Sequence, residues 1–558
     1  MSPATRDHRL TGDSRVAEWI AADPDPQTRA ELASLDTEAD LAERFSGPLR
    51  FGTAGLRGPV RAGPNGMNVA VVTTATSGLA EWLIQHGHAG GTVVVGRDAR
   101  HGSASFAQAA AEVLAAAGFD VVMLPEPLPT PVVAFACRDL DAVAGVQITA
   151  SHNPPADNGY KVYLAGGAQL ISPADTEIEE LIAAAGPANA IARRPVAPDA
   201  RAHSIVGRYL RRLTVRFPPV AASPVRIALT AMHGVGGQLA VDALQAAGFS
   251  DIHVVREQFN PDPDFPTVVF PNPEEPGAAD RLLALAADIG ADLAIALDPD
   301  ADRCAIGIAI AGRWRMLTGD ETGALLGSFL LGTTDVRCPV VASTLVSGSL
   351  LAAIARAHGA RHVTTLTGFK WLVRAGEPLF YAYEEAIGHC VDPDAVRDKD
   401  GISAALAAAV LTDRCLRSDR TLADELDALF AAHGVHVTRQ RSLRVSNLAD
   451  IAAVMTRLRT SPPTRLAGID VTAADFATRD DSLRTDAVAL SGTAPDGVAV
   501  RVMARPSGTE PKLKYYIETK APAEFSLGTT QSDTTDAVAR HLHELAARVA
   551  DELPATGL

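Results

Sequence analysis

The feature that most constrains this chain is a repeated order of elements: strand, glycine- or serine-bearing loop, helix, glycine, strand. It first appears at Gly91–Gly96, with a helix from Ser103 to Ala117, Gly118, and a strand at Phe119–Leu124. It returns at Val225–Thr230, with a helix ending near Gly248 and a strand at Ile252–Val255. The third copy runs from Pro339–Ser343 through a helix ending at His358 to a strand at His362–Thr365. A β-α-β unit of this length requires parallel strands and a right-handed crossover. Three copies at domain-sized spacing predict three similar mixed α/β domains in series.

The residues from about 440 onward break the pattern. Ser442–Val445, Val498–Met503 and Lys514–Glu518 read as strands and Asp536–Leu553 as a closing amphipathic helix, giving a smaller C-terminal α+β domain. Between the last strand and that helix, Pro522–Thr535 is rich in Ser, Thr, Gly and Ala and reads as a flexible loop. Residues 1–45 read as two short polar helices separated by Pro24 and Pro26. The expected boundaries are therefore an appendage at 1–45, then domains at 46–205, 206–318, 319–438 and 439–558.

Charge and cysteine usage narrow the function class. A net charge of −16 opposes a general nucleic-acid surface, which needs an excess of basic side chains, but leaves room for a local basic pocket. The five cysteines are scattered and lack C-x-x-C spacing, which suits reduced thiols better than a disulfide frame or zinc site. The N-terminus shows no apolar signal core, and nothing approaches the apolar run that a membrane helix needs. A cytoplasmic protein without membrane or nucleic-acid partners is expected. Only six of the fifty basic residues are lysines, and most fall in or beside the loops described next. Lysine offers a compact, titratable charge that arginine does not.

Seven segments carry groups suited to chemistry. Thr149-Ala150-Ser151-His152-Asn153-Pro154 follows the apolar run Ala144–Ile148. A serine at the end of a buried strand, beside a histidine, suits covalent chemistry; a polar turn with a capping serine is the competing reading. Ala294–Leu297 runs into Asp298-Pro299-Asp300-Ala301-Asp302-Arg303. Residues two apart in extended chain point the same way, so three carboxylates converge and call for a hard cation, best Mg²⁺. A solvated acidic turn is the alternative, and the apolar run feeding the loop speaks against it. Phe51–Gly58 is glycine-rich, so its backbone can approach an anion, with Arg57 adding a charge-assisted contact.

Thr367-Gly368-Phe369-Lys370-Trp371 and Tyr383-Glu384-Glu385-Ala386-Ile387-Gly388-His389 follow in the third repeat, and Asp398-Lys399-Asp400-Gly401 opens a helix. Carboxylates at a strand end can accept hydrogen bonds from vicinal sugar hydroxyls, although ordinary caps or surface pairs stay equally open. Arg505-Pro506-Ser507-Gly508-Thr509 offers an arginine, two hydroxyls and free N–H groups, a nest suited to phosphate; a plain hairpin turn competes.

Taken in order, these loops resemble the α-D-phosphohexomutase family. F-G-T-A-G-L-R-G, T-G-F-K-W and D-K-D-G-I look closest to the branch with phosphopentomutases and glucose-1,6-bisphosphate synthase, alongside bacterial phosphomannomutases. The resemblance implies four domains around a central cleft, each contributing one loop. It implies that Ser151 is a phosphoserine that donates and recovers a phosphoryl group, with Mg²⁺ held by Ser151, Asp298, Asp300 and Asp302. Arg57, His152, Lys161 and Arg303 would surround the transferring phosphoryl, with Lys161 as a proton carrier whose pKa burial near cations would lower. Gly368, Lys370, Glu384 and Ala386 would meet the sugar. Arg505, Ser507, Gly508 and Thr509 would hold the phosphate that is not transferred. Many hexose-specific members have serine where Ala386 stands, so one hydroxyl contact is missing, and the role of His389 stays open.

The implied reaction interconverts hexose 1- and 6-phosphates (mannose or glucose) through a bound bisphosphate sugar. Catalytic amounts of a 1,6-bisphosphate sugar would act as activator, and the protein would be a monomer or homodimer. Phosphopentomutase, glucose-1,6-bisphosphate synthase and a non-catalytic sugar-phosphate sensor are the alternatives. Ser151 and the three aspartates speak against the sensor, which needs neither nucleophile nor metal.

Overall fold

The computed structural model describes residues 14–35, 37–50, 55–445, 447–507, 512–525 and 535–553. The chain forms two compact units, Met1–Cys304 with Asp392–Leu406, and Ala305–Val391 with Ala407–Leu558. The loop expected at Pro522–Thr535 lies largely outside the described residues, as do Phe51–Ala54, Gly508 and Thr509.

The first unit opens with three short helices, Ser14–Ala22, Pro26–Ala33 and Glu38–Arg44, where the sequence reading expected two. The extra break is local chemistry. Asp25 caps the second helix by accepting from the Gln27 N–H at 2.8 Å, and Thr37 caps the third through the Asp40 N–H at 3.2 Å.

The main sheet of this unit runs Leu56–Pro59, Asp157–Leu164, Ala144–Ile148, Thr92–Arg97, Asp120–Met123, with Ala168–Gln169 added beside Asp157–Leu164. Its last three strands are parallel, as the β-α-β reading requires, and its first two turn it into a mixed sheet. Val93, Val95, Val146 and Ile148 pack with Phe106 and Leu114 of the helix Ser103–Ala116 and with Leu79 and Leu83 of Val69–Gln85. Ala144–Ile148 is buried along its whole length, which explains its unbroken apolar character. A second parallel set places Arg226–Thr230 between Asp251–Val254 and Leu293–Leu297.

The chain enters the second unit at Ala305, within the antiparallel hairpin of Cys304–Ile310 and Arg313–Met316. Its α/β sheet runs Arg361–Thr365, Val340–Thr344, Leu379–Glu384, Gly388–Cys390, parallel except for the last strand. The C-terminal sheet is five-stranded and antiparallel: Val435–Arg444, Lys512–Ala521, Ala499–Pro506, Val488–Thr493, Thr472–Asp475. Its first strand starts at Val435, well before Ser442, because Thr519 and Val437 pair across a long ladder that local sequence does not announce. The architecture is α/β with an additional C-terminal sheet domain.

Candidate active site

In the first unit, sheet register brings three separated segments to one end. Lys161 stands opposite Gln147, and Tyr160 stands opposite both Ile148 and Leu56. Arg57 pairs with Gly159, where a Cβ would meet the Thr149 carbonyl at 2.5 Å and the Leu56 carbonyl at 2.7 Å. Glycine alone permits that approach. The loop between the two central strands presents Ser151, only 1% exposed and with a left-handed backbone at φ 52°. Its N–H donates to Thr149 Oγ1 at 2.9 Å, its Oγ donates to Asp298 Oδ2 at 2.7 Å, and His152 Nδ1 stands 3.1 Å from that Oγ. Arg57 reaches Asn153 Oδ1 at 3.3 Å.

The buried strand Leu293–Leu297 delivers Asp298, Asp300 and Asp302, whose ligand oxygens lie within 4.8 Å of one another. Both oxygens of Asp298 and one each of Asp300 and Asp302 are held by the chain. Asp298 Oδ1 accepts from the Arg303 N–H at 3.0 Å. Asp300 Oδ2 accepts from Lys161 Nζ at 2.8 Å and Thr130 Oγ1 at 2.6 Å, while the Thr130 N–H takes the Asp300 carbonyl at 2.9 Å. Asp302 Oδ2 accepts from Lys161 Nζ at 2.7 Å, with Lys399 Nζ at 3.3 Å. Asp300 Oδ1 and Asp302 Oδ1 are buried with no hydrogen-bond partner among the described residues. An orphaned buried carboxylate oxygen is costly, and a hard divalent cation is the partner this oxygen-only donor set fits.

The charges in the cluster are unequal. Burial and repulsion from Asp300 and Asp302 push the Asp298 carboxyl well above its ordinary range. Burial acts to raise Asp300 and Asp302, and Asp300 repels Asp302, but their partners together hold both below the ordinary range: Lys161 and Thr130 for Asp300, and Lys161, Lys399 and Arg303 for Asp302. Burial by itself would lower Lys161; Asp300 and Asp302 override it and raise the ammonium. The proton carrier expected with a depressed pKa is therefore held charged, because its nearest neighbours are carboxylates. Burial and then the Arg303 and Arg57 guanidiniums lower His152 well below its ordinary value, so its imidazole is neutral near pH 7.

A segment distant in sequence finishes this site. Gly401 donates its N–H to the Ala301 carbonyl at 3.1 Å, and a Cβ there would meet the Arg303 carbonyl at 2.4 Å. Next to it Asp398 accepts from Tyr163 Oη at 2.8 Å and Gln169 Nε2 at 2.7 Å, which seats Lys399 beside Asp302. Lys399 belongs to the cluster; its rarity as a lysine and the D-K-D-G-I motif drew attention to it, but neither assigned it a role beside the aspartates. Thr130 was missed altogether; its L-P-T-P context reads simply as a helix start.

The remaining candidates lie in the second unit. Glu384 ends the strand Leu379–Glu384, pairs with Gly388 and is 9% exposed. The neighbouring Glu385 instead accepts from Thr344 Oγ1 at 2.9 Å and Ser347 Oγ at 3.2 Å. Ala386 is half-buried, and Ile387 turns the chain at φ 53°. Gly368, at φ 106°, precedes the short helix Phe369–Leu372, whose Lys370 Nζ lies 5.8 Å over the Trp371 ring. Arg505 pairs with Lys514, and the Ser507 N–H donates to the Lys512 carbonyl at 2.8 Å. His389 is buried, within 3.1 Å of Tyr381 Oη, with burial lowering it to about 3.

Three family models match successive stretches of the chain: phosphoglucomutase/phosphomannomutase alpha/beta/alpha domain I at residues 48–188, domain II at 207–309 and domain III at 318–433. A Haemophilus influenzae protein named "Probable phosphomannomutase" is 42% identical over 464 residues, 82% of this chain and 93% of its own. Mouse phosphopentomutase is 34% identical over 91% of this chain and 90% of its own, and Staphylococcus aureus phosphoglucomutase is 31% identical over 87% and 93%. Among solved structures, a Burkholderia thailandensis phosphoglucomutase/phosphomannomutase family protein matches with a TM-score of 0.64 at 20% identity, covering 91% of this chain and 99% of its own. That likeness shows the fold.

Proposed function

The chain belongs to the phosphoglucomutase/phosphomannomutase family and is a phosphosugar mutase; on that premise we propose that it interconverts hexose 1- and 6-phosphates through phosphoserine 151. The observation that carries this reading is the Ser151 Oγ–Asp298 hydrogen bond of 2.7 Å, made inside a cluster of three carboxylates with two orphaned oxygens. A phosphoryl group on Ser151 brings about −1.5 to −2 charges near pH 7. Asp298, Asp300 and Asp302 would hold Mg²⁺ with the serine oxygen; when bound, the ion offsets that charge and draws electron density from the leaving oxygen. A 1,6-bisphosphate sugar in catalytic amounts would keep the serine charged.

In the forward half-reaction the Ser151 Oγ–P bond breaks as a sugar hydroxyl oxygen bonds to phosphorus. We assign the hydroxyl proton to the neutral His152, whose Nδ1 lies 3.1 Å from Ser151 Oγ and can deliver a proton to that oxygen as it leaves. The bisphosphate then returns its other phosphoryl group to Ser151 Oγ, so no net phosphate is gained or lost. Arg57, Lys161 and Arg303 supply fixed positive charge for the phosphoryl oxygens. Glu384 and Lys370 would read the sugar, Gly368 and Ala386 would shape the surface it meets, and Arg505, Ser507, Gly508 and Thr509 would hold its second phosphate. The hexose choice follows the relative with 42% identity.

A pentose phosphate is the second reading. Ala386 offers no hydroxyl, and relatives named phosphopentomutase match over 91% of the chain. Turnover on mannose 1-phosphate, glucose 1-phosphate and ribose 1-phosphate with a bisphosphate activator decides between them; a strong ribose preference overturns the hexose choice. Intact mass and phosphopeptide mapping test the phosphoserine, and a Ser151→Ala variant that keeps full activity would end that mechanism. A requirement for an acyl-phosphate donor, with little mutase turnover, points instead to bisphosphate synthesis.

A further inference from the structure

The loop that presents Ser151 is irregular from Thr149 to Ala156, so most of its carbonyls have no ladder partner. Four carbonyls around it converge on one buried side chain from a neighbouring segment, Arg100, which is only 4% exposed. One terminal nitrogen, Nη2, donates to the Ser151 carbonyl at 2.7 Å and the Asn153 carbonyl at 2.6 Å. The other, Nη1, donates to the Pro154 carbonyl at 2.8 Å and the Asp157 carbonyl at 3.1 Å. The guanidinium is itself held in place. Its Nε lies 3.5 Å from Asp98 Oδ2 and its central carbon 4.9 Å from the Phe265 ring centre, while the backbone N–H of Arg100 donates to Asp98 Oδ1 at 2.9 Å, an oxygen that also accepts from Ser103 Oγ.

We propose that Arg100 is a positioning residue for phosphoryl transfer: its planar fork sets the curvature of the serine loop and so places Ser151 Oγ against Asp298. Ser151 holds a backbone conformation unfavourable for a side chain-bearing residue, and such a conformation persists only where its surroundings over-determine it. Arg100 supplies that constraint by grasping the carbonyl of Ser151 itself. Its hydrogen bonds go to the carbonyls of the loop, so it holds Ser151 through the backbone. Lysine cannot replace it, since one ammonium presents three donors from a point and cannot span four carbonyls in a plane. The proposal rests on Ser151 being the phosphorylated group.

The test uses the full-length protein with Mg²⁺ and a bisphosphate activator. Arg100→Lys is expected to lower kcat about 100-fold, the effect of an ångström-scale misplacement, with KM within about threefold of wild type. Arg100→Ala is expected to lose more, and added guanidinium ion at millimolar concentration to restore part of its kcat where methylammonium does not. Melting temperatures and circular dichroism of both variants establish that they are folded. Arg100→Lys with near wild-type kcat overturns the proposal, as does activity that follows the folded fraction alone or equal responses to the two cations. Phosphopeptide mapping of the wild type decides the phosphoserine reading independently of either variant.

Discussion

Two carboxylate clusters in this molecule, one at a strand end and one where a strand end meets the first turn of a helix, are neutralised in opposite ways. In the first unit, Asp298, Asp300 and Asp302 face the ammoniums of Lys161 and Lys399. In the second unit, Glu385 is held by the hydroxyls of Thr344 and Ser347, and Asp320 by the Gly348 N–H at 2.6 Å and Tyr383 Oη at 2.9 Å. Asp300 and Asp302 are accordingly lowered, whereas burial raises Asp320 and Glu385. The first cluster keeps Asp300 and Asp302 charged, as the proposed ion and phosphoryl chemistry requires; the second uses carboxylates as hydrogen-bond acceptors to hold a loop in shape. Neutralising one member of each should therefore have opposite effects.

The largest effect is expected from Lys161→Met, which strips Asp300 and Asp302 of their shared ammonium. Leaving buried charge unpaired costs about 3–5 kcal/mol. Urea denaturation should report that loss, and added Mg²⁺ should raise the variant's melting temperature more than it raises wild type's. A variant as stable as wild type without Mg²⁺ breaks the contrast. Next, Glu384→Gln is expected to cost about 10- to 100-fold in kcat/KM by leaving a sugar hydroxyl poorly paired, with melting temperature little changed. A variant that loses stability but not kcat/KM would give Glu384 the loop-holding role assigned to Glu385.

Glu385→Gln is expected to stabilise the protein by about 1 kcal/mol at pH 8, since the amide oxygen can still accept from both hydroxyls. The sign follows from linkage. The folded-state pKa of Glu385 lies above its ordinary 4.5, so the folded state holds the proton more tightly. Its contribution to stability falls as pH rises from 4.5 through that higher value, and below 4.5 the penalty is absent. The wild-type to variant difference in melting temperature should thus be larger at pH 8 than at pH 4.5; the reverse order sinks the assignment. The smallest change, Ala386→Ser, restores a hydroxyl and is expected to shift the hexose-to-pentose ratio of kcat/KM by about tenfold toward hexose.

The two clusters also differ in how legible they were. D-P-D-A-D-R after an apolar run, and T-A-S-H-N-P after another, can be read because alternation and burial are local properties. The direction of the Lys161 shift could not be read, because it depends on which charges the fold brings within 3 Å of Nζ. Glu384 and Glu385 are neighbours in sequence, and nothing local says that only Glu385 turns toward Thr344. Arg100 and Thr130 act through contacts across 51 and 170 residues of chain, beyond the reach of any periodic pattern. The strand Val488–Thr493 went unread because Ser491 and Gly492 weaken its apolar run, and its pairing on both sides supplies what propensity does not. Gly508 and Thr509 lie outside the described residues, so their assignment rests on the motif.

The contact between Gly401 and the Ala301 and Arg303 carbonyls bears on the order in which the protein can be made. The aspartate loop is translated first, but Lys399 and Gly401 reach the ribosome only after residues 305–391, which belong to the other unit. A nascent chain ending before residue 392 therefore carries the three aspartates with one of their two ammonium partners and with the Ala301 carbonyl still waiting for its donor. The first unit becomes complete only when the chain has left it, built much of a second body and returned. Truncations and domain dissections that stop at the end of the second repeat cut through that dependency, and a faithful fragment of the first unit must carry residues 392–406 with it.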